Sequence, residues 1–274
     1  MSWATRTIKD LLPPLATRKI LSLVRPPAIA YKGPYQSWAD AAGNCETYAA
    51  EDVFSHVLAA TRAVVGGEAV YERDGFVMPA KEYDWPLLAS LLWIAARERR
   101  LHVVDFGGSL GSTYRQVRGF LDHVERIRWT VLEQTHFVEA GIAEFQGEEL
   151  RFAHRIAEVE DLDVVVCSSS LCYIPDPWAC LDEFAASGAR HLVIDRTPMH
   201  DGEADLYYAQ FVRPPLYHAS YPCRVFAREG LLSKLRDAGW RVVTEWVSDT
   251  QPNQHCTYTG FHLERTAITE ARKP

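Results

Sequence analysis

An α/β fold with a doubly wound, mostly parallel sheet is predicted by three observations. Short apolar runs alternate with helical patterns from Leu101 to Gly239. The run from Leu162 to Cys167 is almost wholly apolar, as strands covered on both faces are. The chain ends on two strand-like runs with no helix between them, so the last strand is expected to run antiparallel. Alternation of this kind implies right-handed crossovers and helices on both faces of the sheet.

The elements follow in order. About the first 80 residues are irregular and punctuated by Pro13, Pro14, Pro26, Pro27 and Pro34. A short amphipathic helix fits between Leu11 and Val24, Tyr31 to Tyr35 reads as a turn, and Trp38 to Ala42 as a short helix. Glu51 to Val65 carries Val53, Phe54, Val57 and Leu58 at helical spacing and stops at Gly66-Gly67. Asp84 to Arg99 has a wide apolar face and Pro86 in its first turn, and is expected to pack on the sheet. Seven strands are then expected, at 101–106, 127–132, 150–153, 162–167, 191–194, 241–247 and 257–263. Helices fit at 110–123, 135–145, 177–187 and 228–238, and a long loop at 196–226. The expected layout is a Rossmann-like seven-stranded domain over 83–266. An N-terminal helical and irregular cap precedes it over 1–82, and a flexible tail follows over 267–274.

Composition narrows the function classes. Of 274 residues, 29 are Lys or Arg and 36 Asp or Glu, a net charge of −7. That balance argues against nucleic acid as a partner. Six cysteines are dispersed without zinc spacing, which suits free thiols in a reducing cytoplasm and gives no metal site. No secretory leader is expected, since Pro13-Pro14 and Arg18-Lys19 interrupt the early apolar stretch. No run approaches the length of a membrane span.

The strongest signal is Val103-Val-Asp-Phe-Gly-Gly-Ser-Leu-Gly-Ser112. A buried strand runs into Gly107, Gly108 and Gly111 and then a helix, so the backbone can turn tightly and offer amides to a ligand. The spacing fails the dinucleotide pattern G-x-G-x-x-G, whose first glycine would fall on Phe106. It fits Asp-x-Gly-x-Gly-x-Gly, with Asp105, Gly107, Ser109 in place of the middle glycine, and Gly111. Glu133 ends the next strand, where a carboxylate can take both hydroxyls of a ribose. Its plainer reading is a helix cap or first-turn acid.

These pieces resemble the first motif of class I S-adenosylmethionine-dependent methyltransferases. Within that superfamily the chain resembles a family encoded among surface-polysaccharide biosynthesis genes. The resemblance rests on Tyr83-Asp-Trp-Pro-Leu-Leu88, Asp105 to Gly111, Val131-Leu-Glu-Gln134, Ser169 to Pro177, Ile194-Asp-Arg-Thr-Pro198 and Tyr217-His-Ala-Ser-Tyr-Pro222. It implies the fold and S-adenosyl-L-methionine as cofactor, and it names no acceptor. Asp105, Gly107, Gly108, Ser109, Gly111, Glu133 and Gln134 are then expected to hold the cofactor. Ala153 and His154 are expected to flank the adenine, and Ser168 and Ser169 the reactive end.

Methyl transfer is an in-line displacement, so the protein must align an acceptor, exclude water and remove a proton. The region after the fifth strand supplies candidates. Asp195, His200 and His218 are candidate bases. Tyr173, Arg196, Arg213 and Tyr221 are candidate acceptor contacts, the arginines suiting a phosphate or carboxylate. Each also has a plainer reading as a loop or surface residue. The expected activity is methylation of a small polar acceptor, a hydroxyl of a sugar, nucleotide-sugar or glycan precursor. An NAD-dependent oxidoreductase or epimerase, and a non-catalytic cofactor-binding protein, are the alternatives. Oligomeric state is not read from the sequence.

Overall fold

The structure, a computed structural model, describes residues 29–45, 50–213, 218–248 and 256–266. The helix expected between Leu11 and Val24 and the tail over 267–274 lie outside them.

A ten-stranded sheet runs through the molecule. Seven of its strands lie side by side: β6 (Leu150–Ala153), β5 (Ile127–Leu132), β4 (Leu101–Phe106), β7 (Val164–Ser168), β8 (His191–His200), β12 (Thr257–Arg265) and β11 (Trp240–Val247). From β6 to β8 every pairing is parallel. β12 is antiparallel to both β8 and β11, wedged between them. This is the Rossmann-like, mostly parallel sheet with a reversed last strand that the alternation predicts.

Seven α-helices are described: α1 (Trp38–Gly43), α2 (Ala50–Val65), α3 (Trp85–Glu98), α4 (Ser112–Val117), α5 (Thr135–Glu144), α6 (Pro177–Ala186) and α7 (Arg228–Asp237). The sheet is buried on both faces because successive strand residues point to opposite sides. Val103, Val164, Val166 and Val193 pack with Leu87, Leu91, Ile94 and Phe137 on one side. Val104, Val165, Leu192 and Ile194 pack with Leu181, Phe184, Leu231 and Leu235 on the other. Each such leucine contributes about 1.5–3 kcal/mol. The starts of α3 and α6 are set locally: Asp84 accepts from the Leu87 amide at 3.2 Å and Asp176 from the Ala179 amide at 3.1 Å, each with proline in the first turn.

Two expectations are corrected. Residues 31–35 are not a turn but part of strand β1 (Ile29–Tyr35), which pairs antiparallel with β9 (Leu206–Val212). The segment 196–226 is not a long loop. β8 continues to His200, and β9 and β10 (Ala219–Ala227) form a hairpin that joins the sheet where β10 meets Met199 and His200. The strand signal was hidden by Pro222 inside β10 and by Pro34 inside β1, residues that cannot donate to a ladder. A second hairpin, β2 (Tyr71–Arg73) and β3 (Phe76–Met78), lies over the start of α4: the Ser112 hydroxyl donates to the buried Glu72 carboxylate.

β8 is bulged. Against β12, Thr197 pairs with Thr259 but Ile194 with Phe261, so Asp195 and Arg196 occupy the space of one residue. Arg196 is left-handed (φ 44°). Bulges turn side chains to new directions and recur beside functional sites.

Two stability tests follow from the packing. Gly260 of β12 makes room for the Trp246 ring, which a Cβ would meet at 2.1 Å. Gly260→Ala is expected to cost about 1–3 kcal/mol in denaturant unfolding, as overpacked sites do. At the opposite end of β8, His262 Nε2 lies 3.3 Å from His191 Nδ1 and edge-on to Trp93. Burial, with His191 beside it, pushes the His262 imidazole down to about 4. The unfolded ring protonates near 6.5, so this contribution is intact above that pH and is lost as pH falls toward 4. The drop in Tm between about pH 7 and about pH 5 is expected to be larger in the wild type than in His262→Phe.

Candidate active site

The carboxyl ends of β4, β5, β6, β7 and β8 come together, where open α/β sheets bind ligands. The turn from Gly107 to Gly111 is the floor. Gly107 is left-handed (φ 72°), and a Cβ there would meet the Ser170 Cβ at 2.7 Å. A Cβ on Gly108 would overlap the Asp105 carboxylate at 2.5 Å. Both positions therefore exclude side chains. Ser109, in the place of the motif's middle glycine, is left-handed as well (φ 57°). Gly111 is left-handed (φ 90°) and is the N-cap of α4.

Asp105 does not open onto the cleft. Its side chain is buried under Gly108, and Oδ2 accepts from Trp129 Nε1 at 3.0 Å. Burial, with the Glu133 charge nearby, pushes its carboxyl up to about 7. The residue supports the turn from beneath, through the Gly108 backbone that lies over its carboxylate.

Glu133 stands at the rim. Its Oε1 accepts from the Ser109 amide at 3.3 Å and its Oε2 from the Gln134 amide at 2.9 Å. Burial raises its carboxyl above the ordinary range. Each oxygen keeps a lone pair for a further donor. Glu133, Gln134, Gly107 and Tyr173 line two adjoining cavities of about 480 and 440 Å³. The first also holds Phe106, His154 and Ile156, and the second Ser109, Val57 of α2, His136 and Tyr221. Ala153 is buried at the end of β6, beside Leu132. Inside the floor, the buried Ser109 Oγ lacks a hydrogen-bond partner among the described residues.

The residues fit a nucleoside-bearing cofactor. Gly107 and Gly108 carry no side chain, the Ser109 hydroxyl is buried without a partner among the described residues, and a carboxylate stands one strand along. Among the described residues, no group of three or more His, Cys, Asp or Glu is arranged to hold a metal.

The end of β7 is tied to the bulge of β8. Ser168 Oγ donates to Asp195 Oδ2 at 2.8 Å and accepts from Arg196 Nε at 3.2 Å. Trp246 Nε1 donates to Asp195 Oδ1 at 3.0 Å. The Ser169 amide donates to the Asp195 carbonyl at 3.0 Å, with Ser169 left-handed (φ 57°). Three non-glycine residues held at positive φ, Ser109 and Ser169 just past β4 and β7 and Arg196 in the bulge of β8, store strain of about 1–3 kcal/mol each, a pattern of functional sites.

The acceptor candidates separate. The half-buried Tyr173 donates to Gln210 Oε1 at 3.0 Å and packs edge-on against Tyr221, so both meet over the cleft. Arg196 lies beside Ser168. His200 is corrected: its Nδ1 accepts from the Gly202 amide at 3.1 Å and its Nε2 faces the Ala204 carbonyl at 2.9 Å. Both ring nitrogens are held in the β8–β9 turn, leaving none to take a proton. His218 is exposed just before β10, and Arg213 just after β9 is half-buried; neither lines the two cavities. Asp195 is wholly buried. Sequence reasoning missed His136 in the first turn of α5, Trp246 on β11, and Asp84 on a helix read as structural. Only Asp84 had a signal, as a helix cap inside the Tyr83-Asp-Trp-Pro segment.

No family model and no curated protein matches the chain. Solved structures do. An S-adenosylmethionine-dependent methyltransferase from Clostridium acetobutylicum is 12% identical, over 76% of this chain and 97% of that one, with a TM-score of 0.44. The 1,6-didemethyltoxoflavin N1-methyltransferase of Burkholderia thailandensis, solved with S-adenosylhomocysteine, is 20% identical over 81% and 92%, with a TM-score of 0.45. An amino pentose methyltransferase from Micromonospora echinaspora, solved with S-adenosylmethionine, is 14% identical over 67% and 92%, with a TM-score of 0.42. These are similarities of fold at low identity.

Gly107→Ala tests the floor. A left-handed alanine costs about 1–2 kcal/mol before any clash. The variant is expected to unfold at lower temperature than the wild type in a thermal scan.

Proposed function

We propose that the protein is an S-adenosyl-L-methionine-dependent methyltransferase acting on a small polar acceptor, a hydroxyl of a sugar or glycan precursor. The single observation that carries this reading is the side-chain-free turn at Gly107 and Gly108, supported by Asp105 beneath and fronted by Glu133. The spacing of that turn fails the dinucleotide pattern at Phe106, which sets the nicotinamide reading aside.

The residues divide the work. Glu133 takes the ribose hydroxyls, since a carboxylate accepts two at once and repels a 2′-phosphate. The amides of the turn and the first turn of α4 take the cofactor's carboxylate. Gln134, Ala153 and His154 flank the base, and Ser168 and Ser169 leave room at the reactive end. When bound, the cofactor supplies an electrophilic methyl on a sulfonium. Tyr173 and Tyr221 wall the cleft and exclude water. Arg196, beside Ser168, offers a guanidinium group to an anionic substituent of the acceptor. Alignment of this kind supplies much of the rate in a displacement.

The test is calorimetric titration with S-adenosylhomocysteine, with NAD as control. The former is expected to bind and NAD is not. Glu133→Ala is expected to weaken S-adenosylhomocysteine by about 1–3 kcal/mol through lost charge-assisted hydrogen bonds. Unchanged affinity in a folded variant removes Glu133 from the ribose.

A further inference from the structure

A third cavity, of about 520 Å³, lies between the start of α3, the bulge of β8 and the end of β11. It shares no lining residue with the two cleft cavities. The Tyr83-Asp-Trp-Pro86 segment and Arg196, far apart in the chain, both line it. Its apolar walls are Tyr83, Trp85 and Trp246. Trp85 is 58% exposed, although an indole ring is usually well covered. The ring is not loose. It packs on Tyr83 at 5.1 Å and edge-on to Phe120 at 5.7 Å, and Tyr83 meets Phe120 edge-on at 5.1 Å. Trp246 is held by its bond to Asp195 and by packing on Gly260. Both indoles are thus set by their neighbours before any ligand arrives, which saves the cost of ordering them. Flat apolar walls beside a few fixed polar groups are the make-up of a small-molecule site.

Polar groups of both signs ring these walls. Arg73, Lys81 and Arg196 line the cavity together with Glu82 and Asp84. Arg73 Nη1 pairs with Glu82 Oε2 at 3.2 Å, and Arg196 Nε lies 3.5 Å from Asp195 Oδ2. Lys81 makes no hydrogen bond or ion pair among the described residues. Asp84 gives Oδ1 to the Leu87 amide, and a carboxylate has lone pairs to spare beyond that bond. Cations and anions therefore balance, and neither sign is left in excess to draw an ion. A wholly apolar ligand would strip water from these groups and return nothing. The complement of such a cavity is a neutral molecule with a flat C–H face and several hydroxyls, each able to donate and to accept. A pyranose ring has that make-up.

We propose that this cavity is a carbohydrate-binding site that takes the pyranose ring of a neutral sugar. The C–H face of the ring packs on the exposed indole of Trp85, and its hydroxyls accept from Lys81 and donate to Asp84. The site stands apart from the cofactor cleft and does not depend on methyl transfer. No bond is made or broken in it; it holds a glycan on the protein.

The experiment uses the full chain with its 8 tryptophans replaced by fluorotryptophan and read by fluorine NMR, each resonance assigned by a single Trp→Phe substitution. The probes are the methyl glycosides of glucose, galactose, mannose and rhamnose, titrated one at a time, with adenosine monophosphate for comparison. At least one glycoside is expected to shift the Trp85 and Trp246 resonances in a saturable way. Trp129 and Trp240, buried in the core, are expected to stay where they are. Trp85→Ala is expected to weaken that glycoside about 10-fold or more, read at Trp246. Trp85 is exposed, so this variant keeps its fold, and unmoved Trp129 and Trp240 resonances verify that. Saturating S-adenosylhomocysteine is expected to leave the glycoside shifts unchanged. Its own binding is followed by calorimetry, and failure there sinks the methyltransferase reading alone. Absence of a shift with every glycoside, a shift with adenosine monophosphate only, unchanged affinity in Trp85→Ala, or displacement of the glycoside by S-adenosylhomocysteine overturns the proposal.

Discussion

The buried carboxylate of Asp195 is the constraint around which the rest is arranged. A charge taken out of water must be met by donors, or it costs several kcal/mol. The donors come from different elements: Ser168 from β7, Trp246 from β11, and Arg196 from the bulge of β8 itself. Satisfying that one side chain fixes how the ends of β7 and β11 sit against the bulge of β8. Trp246 can arrive only because its partner in the ladder is Gly260. The bulge can exist only because Arg196 accepts a left-handed backbone.

The glycine turn obeys a complementary logic. At Asp195 side chains converge; at Gly107 and Gly108 they are excluded. Asp105 fills the space below the turn, so the backbone above it is held at one height by packing and by the Trp129 hydrogen bond. Glu133 then holds the turn from the front through the Ser109 amide. A loop gripped on two sides needs little reordering to receive a ligand, and preorganisation saves affinity. The β2–β3 hairpin adds a third grip through Glu72 and Ser112.

Much of this was legible in the sequence, for identifiable reasons. The central strands declare themselves because both faces are buried, so Val103-Val104 and Val164-Val165-Val166 read as unbroken apolar runs. The turn declares itself because three glycines and two acids have spacing that packing alone does not require. The β1–β9–β10 layer did not. Prolines sit inside two of its strands, and β1 lies far from β9 in the chain, so no local pattern marks that pairing. Asp84 was visible as a helix cap, yet nothing local says that it lines a cavity with Arg196 and Trp246. His200 was a reasonable base by residue type alone. Only the short turn to Gly202 and Ala204 shows that its nitrogens are spent.

The place of β1 has a consequence for how the chain is made. Ile29 pairs with Val212, and β9 is held in turn by β10. During synthesis the strand near the start must wait until its partner, late in the chain, has left the ribosome. Pairings of such long reach are slow to close. A strand that waits unpaired presents its open edge to other chains. Pro34 and Lys32 interrupt that edge, and Gly33 weakens it further. The features that hid β1 from a pattern search are the ones that keep it from finding a wrong partner first.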